Sequence, residues 1–175
     1  IEEFESLPDK VRRVLELDSH IRSVAARFAG ASGLLFMGRQ FQYPVALEGA
    51  LKMKEISYLH AEGHPSAELK HGVIALVGPE LPSVFLAPDD AVFEKNVSNI
   101  EEVRARRGPV IAIGTEGGPD LSRVADEVIL VPRAPDFLMP ILTSIPLQLL
   151  AYHTAVQLGC DVDKPRNLAK SVTVE

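Results

Sequence analysis

The run Leu34-Leu35-Phe36-Met37-Gly38 is the stretch that decides the fold. Its continuous apolar character is typical of a strand that is buried on both faces of a parallel sheet. Before it, apolar residues spaced three and four apart in residues 8–29 predict one amphipathic helix, which the following glycines end. After it, residues 44–58 carry a second helical pattern. A buried strand between two helices is typical of an α/β domain.

Further strand-like runs continue this alternation along the chain. They cover residues 59–61, 83–87, 110–113 and 128–131. Helical patterns at 89–107 and 138–158 lie among them, and two prolines predict that the last helix starts late or is kinked. The sequence therefore predicts an α/β fold, a three-layer αβα sandwich with a five-stranded parallel sheet of the flavodoxin-like type.

Composition excludes several classes of protein. The chain has 175 residues, 46% of them hydrophobic, which is enough to bury one core. Its net charge of −6 argues against nucleic acid or an anionic membrane surface as the main partner. No apolar run approaches the roughly 20 residues that a membrane span needs. A single cysteine, Cys160, favours a reducing, cytoplasmic setting, and we expect no nucleophilic role for it because no base stands beside it.

Three charged residues in the helical pattern after the first strand could carry chemistry. Glu48, Lys52 and Glu55 are four and three residues apart, so they share one helical face. Such a group can be an ordinary solvated ion pair, or a carboxylate base beside a cation that keeps it ionised. The spacing leaves both interpretations open.

The histidines favour acid–base chemistry over metal binding. His60 and His64 do not follow the H-E-x-x-H zinc order, so we expect no metal site. His71 could be an ordinary loop residue, although the pKa of an imidazole suits proton transfer near neutral pH. The segment after the first strand, residues 38–42, has no serine or threonine to cradle a phosphate. A phosphorylated ligand would therefore need help from another domain or subunit.

Two long segments resemble a known enzyme family. Residues 43–58 (YPVALEGALKMKEISY) followed by residues 68–72 (ELKHG) resemble the isomerase region of the glutamine–fructose-6-phosphate aminotransferases. Residues 146–153 (PLQLLAYH) and the tail at 163–175 (DKPRNLAKSVTVE) resemble the carboxyl terminus of the same family. The chain is thus identified as resembling the second of two sugar-isomerase (SIS) domains, part of an enzyme that makes glucosamine 6-phosphate for amino-sugar biosynthesis.

The resemblance implies a role for each of three residues in the body of the domain. Glu55 is implied to be the base that moves a proton between C1 and C2 of the sugar, after ammonia has replaced the ketone oxygen. Lys52 is implied to assist proton handling one helical turn away. His71 is implied to open the sugar ring from a neighbouring subunit. An aldose–ketose type shift needs a base, a ring-opening acid–base group and cations near developing oxyanions.

The tail is implied to close over the sugar. In this family pattern Lys170 assists ring opening, Arg166 binds the substrate and Ala169 contributes a backbone contact. We therefore expect an SIS domain at residues 1–160 and a lid at residues 161–175. The resemblance implies neither a cofactor nor a metal.

The resemblance also predicts partners. The chain begins with Ile1 rather than Met, and a glutaminase domain and a first SIS domain are expected outside it. Those domains would supply the phosphate ligands, so the chain alone is expected to be a catalytically incomplete half-site that binds sugar phosphate with their help. Its uncovered apolar surface predicts self-association, in the form of a homodimer.

Two other functions are compatible with the fold. SIS domains also serve as non-catalytic sugar-phosphate sensors, but a sensor needs no base and no ring-opening histidine. A flavodoxin-like nucleotide binder is disfavoured by the missing glycine-rich loop. The sequence favours the enzyme.

Overall fold

Five parallel strands form the centre of the molecule. The computed structural model describes residues 2–168, and the fold below refers to that part of the chain. The strand order is β2-β1-β3-β4-β5, counted along the chain, and every neighbouring pair is parallel. This order is the flavodoxin-like arrangement of doubly wound sheets. The predicted fold class is confirmed.

The elements follow one another in regular alternation after the amino-terminal helices. The strands are β1 (Gly33–Gly38), β2 (His60–Pro65), β3 (Ser83–Leu86), β4 (Val110–Thr115) and β5 (Glu127–Val131). The helices are α1 (Glu2–Glu5), α2 (Leu7–Leu15), α3 (Asp18–Phe28), α4 (Gln42–Ser57), α5 (Phe93–Arg104) and α6 (Met139–Gln157). Two short 3₁₀ turns, Ser66–Glu68 and Val73–Leu76, connect β2 to β3. No helix among residues 2–168 has the length and apolarity that crossing a bilayer requires.

Alternate residues of the strands build two separate cores. Leu34 and Phe36 of β1 face a cluster that includes buried residues of α2, α3, α4 and α6. Leu35 and Met37 face the opposite cluster, which α5 covers together with Leu69. This division follows from the two-residue period of a strand. The sheet is thus the middle layer of three.

The amino-terminal helical pattern is two helices, so the prediction of one continuous helix over residues 8–29 is wrong. The chain turns at Glu16 and Leu17, and α3 begins at Asp18. An oxygen of Asp18 lies 2.7 Å from Nε2 of His153 on α6. The break lets α3 pack along α6 while Leu17 still contacts the core. Apolar spacing predicted the buried face correctly but could not show this change of direction.

Helix α4 is seated by close backbone contacts. Gly38 ends β1 directly beneath the first turn of α4, and a Cβ atom there would lie 2.2 Å from the carbonyl oxygen of Gln42. Gly63 of β2 faces the same helix, where a Cβ atom would lie 2.8 Å from Cα of Leu47. Strand β2 therefore extends further than the predicted residues 59–61, because Gly63 admits α4 and the terminal Pro65 is tolerated at a sheet edge.

Helix α6 accommodates both of its prolines. Pro140 lies in the first turn, where a missing N–H group costs nothing, and Pro146 lies inside the helix. The helix begins at Met139, one residue later than predicted. The hydroxyl of Thr143 donates to Oε1 of Gln42 at 2.7 Å, which ties α6 to the start of α4.

The carboxylate of Asp126 joins β4 to the segment before β5, and this contact has a pH dependence. It accepts the Val110 N–H at 2.8 Å and a hydrogen bond from Arg104. Burial by itself raises the pKa of Asp126, but the hydrogen bonds from Arg104 and Val110 and the Arg104 charge more than offset this, and the pKa is lowered.

Replacing Asp126 with asparagine is expected to cost about 1.5–3 kcal/mol of stability at pH 7, since hydrogen bonds to a charged group are lost. Because the folded state lowers the pKa of Asp126, its stabilisation is present above the pKa of the unfolded chain and is lost as the pH falls through the lower, folded value. Urea unfolding should therefore show a difference in the free energy of unfolding between wild type and Asp126→Asn that is smaller near pH 3 than at pH 7. Glu101→Gln, at an exposed position in the second half of α5, is the control. If this difference in free energy were the same at both pH values, the lowered pKa of Asp126 would be contradicted.

Candidate functional site

The outer face of α4 carries three charged side chains that form one group. Nζ of Lys52 lies 2.5 Å from an oxygen of Glu55 and 3.7 Å from an oxygen of Glu48. The side chains of Lys52 and Glu55 are 33% and 27% exposed, so a ligand can reach both while part of each is shielded from water. The structure therefore places Lys52 closer to Glu55 than to Glu48. Glu55 lies two residues before the end of the helix.

The electrostatics of this pair suit base catalysis. The hydrogen bond between Lys52 and Glu55 raises the pKa of Lys52, burial opposes this, and the charges of Glu55 and Glu48 raise it further, so that the net pKa lies above its ordinary value. Lys52 thus stays a cation at neutral pH. Nζ of Lys52 therefore places a positive charge 2.5 Å from the Glu55 carboxylate. The arrangement can accept a proton at Glu55 and stabilise negative charge near Lys52.

The start of the tail lies at the same end of α4. The backbone N–H of Arg166 donates to the hydroxyl of Tyr58 at 2.8 Å. The Arg166 guanidinium lies over the Tyr58 ring, 4.1 Å from its centroid. Tyr58 directly follows α4 and is three residues from Glu55. Arg166 is therefore held at the end of the helix that carries Lys52 and Glu55.

The structure does not bring His71 to this group. Its neighbour Leu69 is buried in the core on the α5 face of the sheet, whereas α4 packs on the other face. Nδ1 of His71 lies 2.7 Å from an oxygen of Glu68, and its side chain is 71% exposed. His71 is thus an accessible imidazole on the opposite face from Glu55. The other two predicted site residues, Ala169 and Lys170, lie outside the described residues.

His60 and His64 on the edge strand β2 both form hydrogen bonds with one carboxylate. Glu62 lies between His60 and His64, with oxygen-to-nitrogen distances of 3.0 and 2.9 Å. Its pKa is lowered, first by the hydrogen bond with His60 and then by that with His64. Within the described chain, no three side chains of histidine, cysteine, aspartate or glutamate are arranged to hold a metal ion.

A crevice at the carboxyl ends of β1, β2 and β3 contains none of the predicted site residues. It has a volume of about 370 Å³ and is lined by Arg39, Gln40, Tyr43, Pro65, Ala67, Val92 and Lys95. In doubly wound sheets ligands usually bind at this position, where the strand order reverses. The segment between β1 and α4, residues 39–41, offers no hydroxyl group there. We place the candidate site on α4 because Lys52 and Glu55 form a charged pair on this helix and Arg166 is held at its end.

Tyr58 is the residue of this site that sequence reasoning missed. It was part of the motif at residues 43–58, but nothing in the spacing singled it out. Its backbone φ angle of 61° is unusual for a residue other than glycine. Its contact with Arg166 joins positions 108 residues apart, which no local pattern records.

Comparisons with known proteins agree with the fold and extend it. A family model described as SIS domain matches residues 27–158. The chain is 52% identical over all of its 175 residues to a glutamine–fructose-6-phosphate aminotransferase (isomerizing) of Chlorobaculum tepidum. It is 54% identical, also over 175 residues, to the protein of the same name from Thermus thermophilus.

A solved structure gives the same result in three dimensions. The C-terminal domain of the glucosamine-fructose-6-phosphate aminotransferase of Francisella tularensis superposes with a TM-score of 0.87 at 40% sequence identity. The match covers 93% of this chain and 46% of that one. The chain spans only 28% and 29% of the lengths of the relatives from Chlorobaculum and Thermus.

Proposed function

The chain belongs to the SIS domain family, and on that premise we propose that it is the isomerase part of a glutamine–fructose-6-phosphate aminotransferase. That enzyme would convert fructose 6-phosphate and glutamine-derived ammonia into glucosamine 6-phosphate, a step of hexosamine biosynthesis. The observation that carries the proposal is the Lys52–Glu55 pair, 2.5 Å apart on an accessible face of α4. The identity of about half over the full chain to aminotransferases supports it.

Glu55 acts as the base in this proposal. After ammonia has condensed with the ketone carbon, a proton must move from C1 of the sugar to C2. A carboxylate can remove it and return it one carbon away, as long as it begins ionised. The Lys52 cation beside Glu55 stabilises the negative charge that develops on the sugar.

The tail supplies further cations. Arg166 is the proposed substrate-binding side chain, and its place beside Tyr58 supports this role. Ala169 is proposed to contribute a backbone contact and Lys170 to assist ring opening. A lid of this kind would exclude water from the intermediate.

His71 is proposed to serve a neighbouring subunit. It lies on the other face of the sheet from Glu55 within one chain, and its ring is exposed. An exposed imidazole with a carboxylate at Nδ1 can exchange a proton with a sugar oxygen that another chain holds. The proposal therefore includes a homodimer in which each copy completes the site of the other.

The isolated chain is proposed to be a half-site. The glutaminase domain and the first SIS domain of the complete enzyme would supply ammonia and the phosphate ligands. Leu47 and Leu51, 43% and 42% exposed, lie on α4 beside the charged group. Apolar side chains next to a polar site suit a surface that another domain covers. The proposed reaction places the protein in the cytoplasm, where Cys160 would stay reduced.

Reconstitution tests this proposal. The 175-residue chain and the rest of the enzyme would be prepared as two polypeptides and assayed, separately and mixed, for glucosamine 6-phosphate formed from fructose 6-phosphate and glutamine. We expect product only from the mixture. Product from the chain alone would contradict the half-site. Sugar-phosphate binding without turnover by the mixture would contradict the enzyme and favour the alternative, a non-catalytic binding module.

A further inference from the structure

Tyr58 occupies a position that normally favours glycine. Its φ angle of 61° is left-handed, and its N–H group donates to the carbonyl oxygen of Lys54 to end α4. Glycine is the common residue at such helix ends because it lacks a Cβ atom. The backbone strain of a tyrosine there persists only where other contacts offset its cost. In this chain the side chain contacts the tail.

The tail segment 160–166 is held at both of its ends by Ser57, the last residue of α4, and by Tyr58, which follows it. At its start, Sγ of Cys160 lies 3.8 Å from the carbonyl oxygen of Ser57. At its end, the Tyr58 hydroxyl accepts the Arg166 N–H at 2.8 Å, and the Tyr58 ring lies under the guanidinium. Between them, the side chain of Asp161 accepts the N–H groups of Asp163 and Lys164, both at 3.0 Å. Residues 160–166 thus form a loop whose two ends both contact the end of α4.

Both contacts of Tyr58 act on one residue. The hydrogen bond sets the position of the Arg166 backbone, and the stacking of the guanidinium on the ring sets the direction of the side chain. Cation–π stacking of this kind is attractive, and more so when water is excluded. Tyr58 therefore fixes both the position and the direction of Arg166. We do not expect Tyr58 itself to contact the substrate.

We propose that Tyr58 is a positioning residue of the isomerase site, which acts through Arg166 and fixes the start of the tail at the end of the helix that carries Lys52 and Glu55. This inference rests on the proposed function. It assigns to Tyr58 a role in substrate affinity rather than in the proton transfer itself. Its loss should therefore raise KM more than it lowers kcat.

Two substitutions separate the contacts. Tyr58→Phe keeps the ring and removes the hydroxyl acceptor, so the Arg166 amide of the 175-residue chain should exchange its proton about fivefold faster. In the complete aminotransferase we expect KM for fructose 6-phosphate to rise about fivefold in Tyr58→Phe and about twentyfold in Tyr58→Leu, with kcat within about twofold. Tyr152→Phe, on the exposed side of α6, is the control and should leave KM unchanged. Unchanged KM in Tyr58→Leu would overturn the proposal.

A double-mutant cycle tests whether Tyr58 acts through Arg166. If it does, adding Tyr58→Leu to Arg166→Ala should raise KM less than Tyr58→Leu raises it alone, because the stacked partner is already gone. Independent, multiplicative effects would overturn the proposal. If Tyr58→Leu fails to fold, Tyr58→Phe decides the matter by amide exchange and KM. Absence of turnover in the unmodified enzyme would instead count against the proposed function.

Discussion

Replacing Glu55 with glutamine is expected to lower the turnover of fructose 6-phosphate by the complete enzyme about 10³-fold, within the 10²–10⁴ range of a lost acid–base group. Glutamine keeps the size of the side chain but cannot accept the proton from C1. Steady-state assays of glucosamine 6-phosphate formation would measure the loss. We expect KM to change far less than kcat, since the amide can still occupy the same place.

Glu101→Gln is the matched control for Glu55→Gln. It makes the same chemical change at an exposed position of α5, on the other face of the sheet. This variant should retain the kcat of the unmodified enzyme. Circular dichroism would establish that both variants are folded. More than a tenth of the original kcat in Glu55→Gln would mean that another group removes the proton.

Gly38→Ala is expected to destabilise the chain by about 3 kcal/mol, at the upper end of what overpacking costs. The new Cβ atom would lie 2.2 Å from the carbonyl oxygen of Gln42 and 2.8 Å from the backbone nitrogen of Tyr43. Both atoms belong to the backbone, so no side-chain rotation can relieve the contact. Either β1 or the start of α4 must move.

Urea unfolding of the 175-residue chain would measure that cost. Gly78→Ala is the control, since a Cβ atom at Gly78 meets nothing within 4 Å. The control should shift the unfolding midpoint little. Equal midpoints for the two variants would show that α4 can move away from β1 at small cost in free energy. The packing of α4 against Gly38 would then be less tight than the close contact indicates.

Most of the fold could be predicted from the sequence because its signals are local. Leu34 to Gly38 form a buried strand, and an apolar run reports burial on two faces directly. The break at Glu16 and Leu17 could not be predicted in the same way. It depends on α3 packing along α6, and Asp18 meets His153 from a position 135 residues away.

In the candidate site, too, contacts within one helix could be predicted and contacts between distant segments could not. Lys52 and Glu55 could be placed together from the sequence because one turn of a helix brings such positions into contact. Their roles came from the resemblance, since spacing alone allowed a plain ion pair. The contact between Tyr58 and Arg166 depends on tertiary structure, so no periodicity could have indicated it. The separation of His71 from Glu55 likewise needed the assignment of each to a face of the sheet.

The close packing of α4 against β1 and β2 restricts the number of residues that the helix can contain. The helix is held near its start by Gly38 and Gly63, and its last turn leads directly into Tyr58. Each residue of a helix turns the chain by about 100°. One inserted or deleted residue before Lys52 would therefore rotate the charged pair away from the outer face, although Lys52 and Glu55 were both still present. Deletions and insertions in α4 should thus be far more damaging than substitutions at exposed positions such as Lys54.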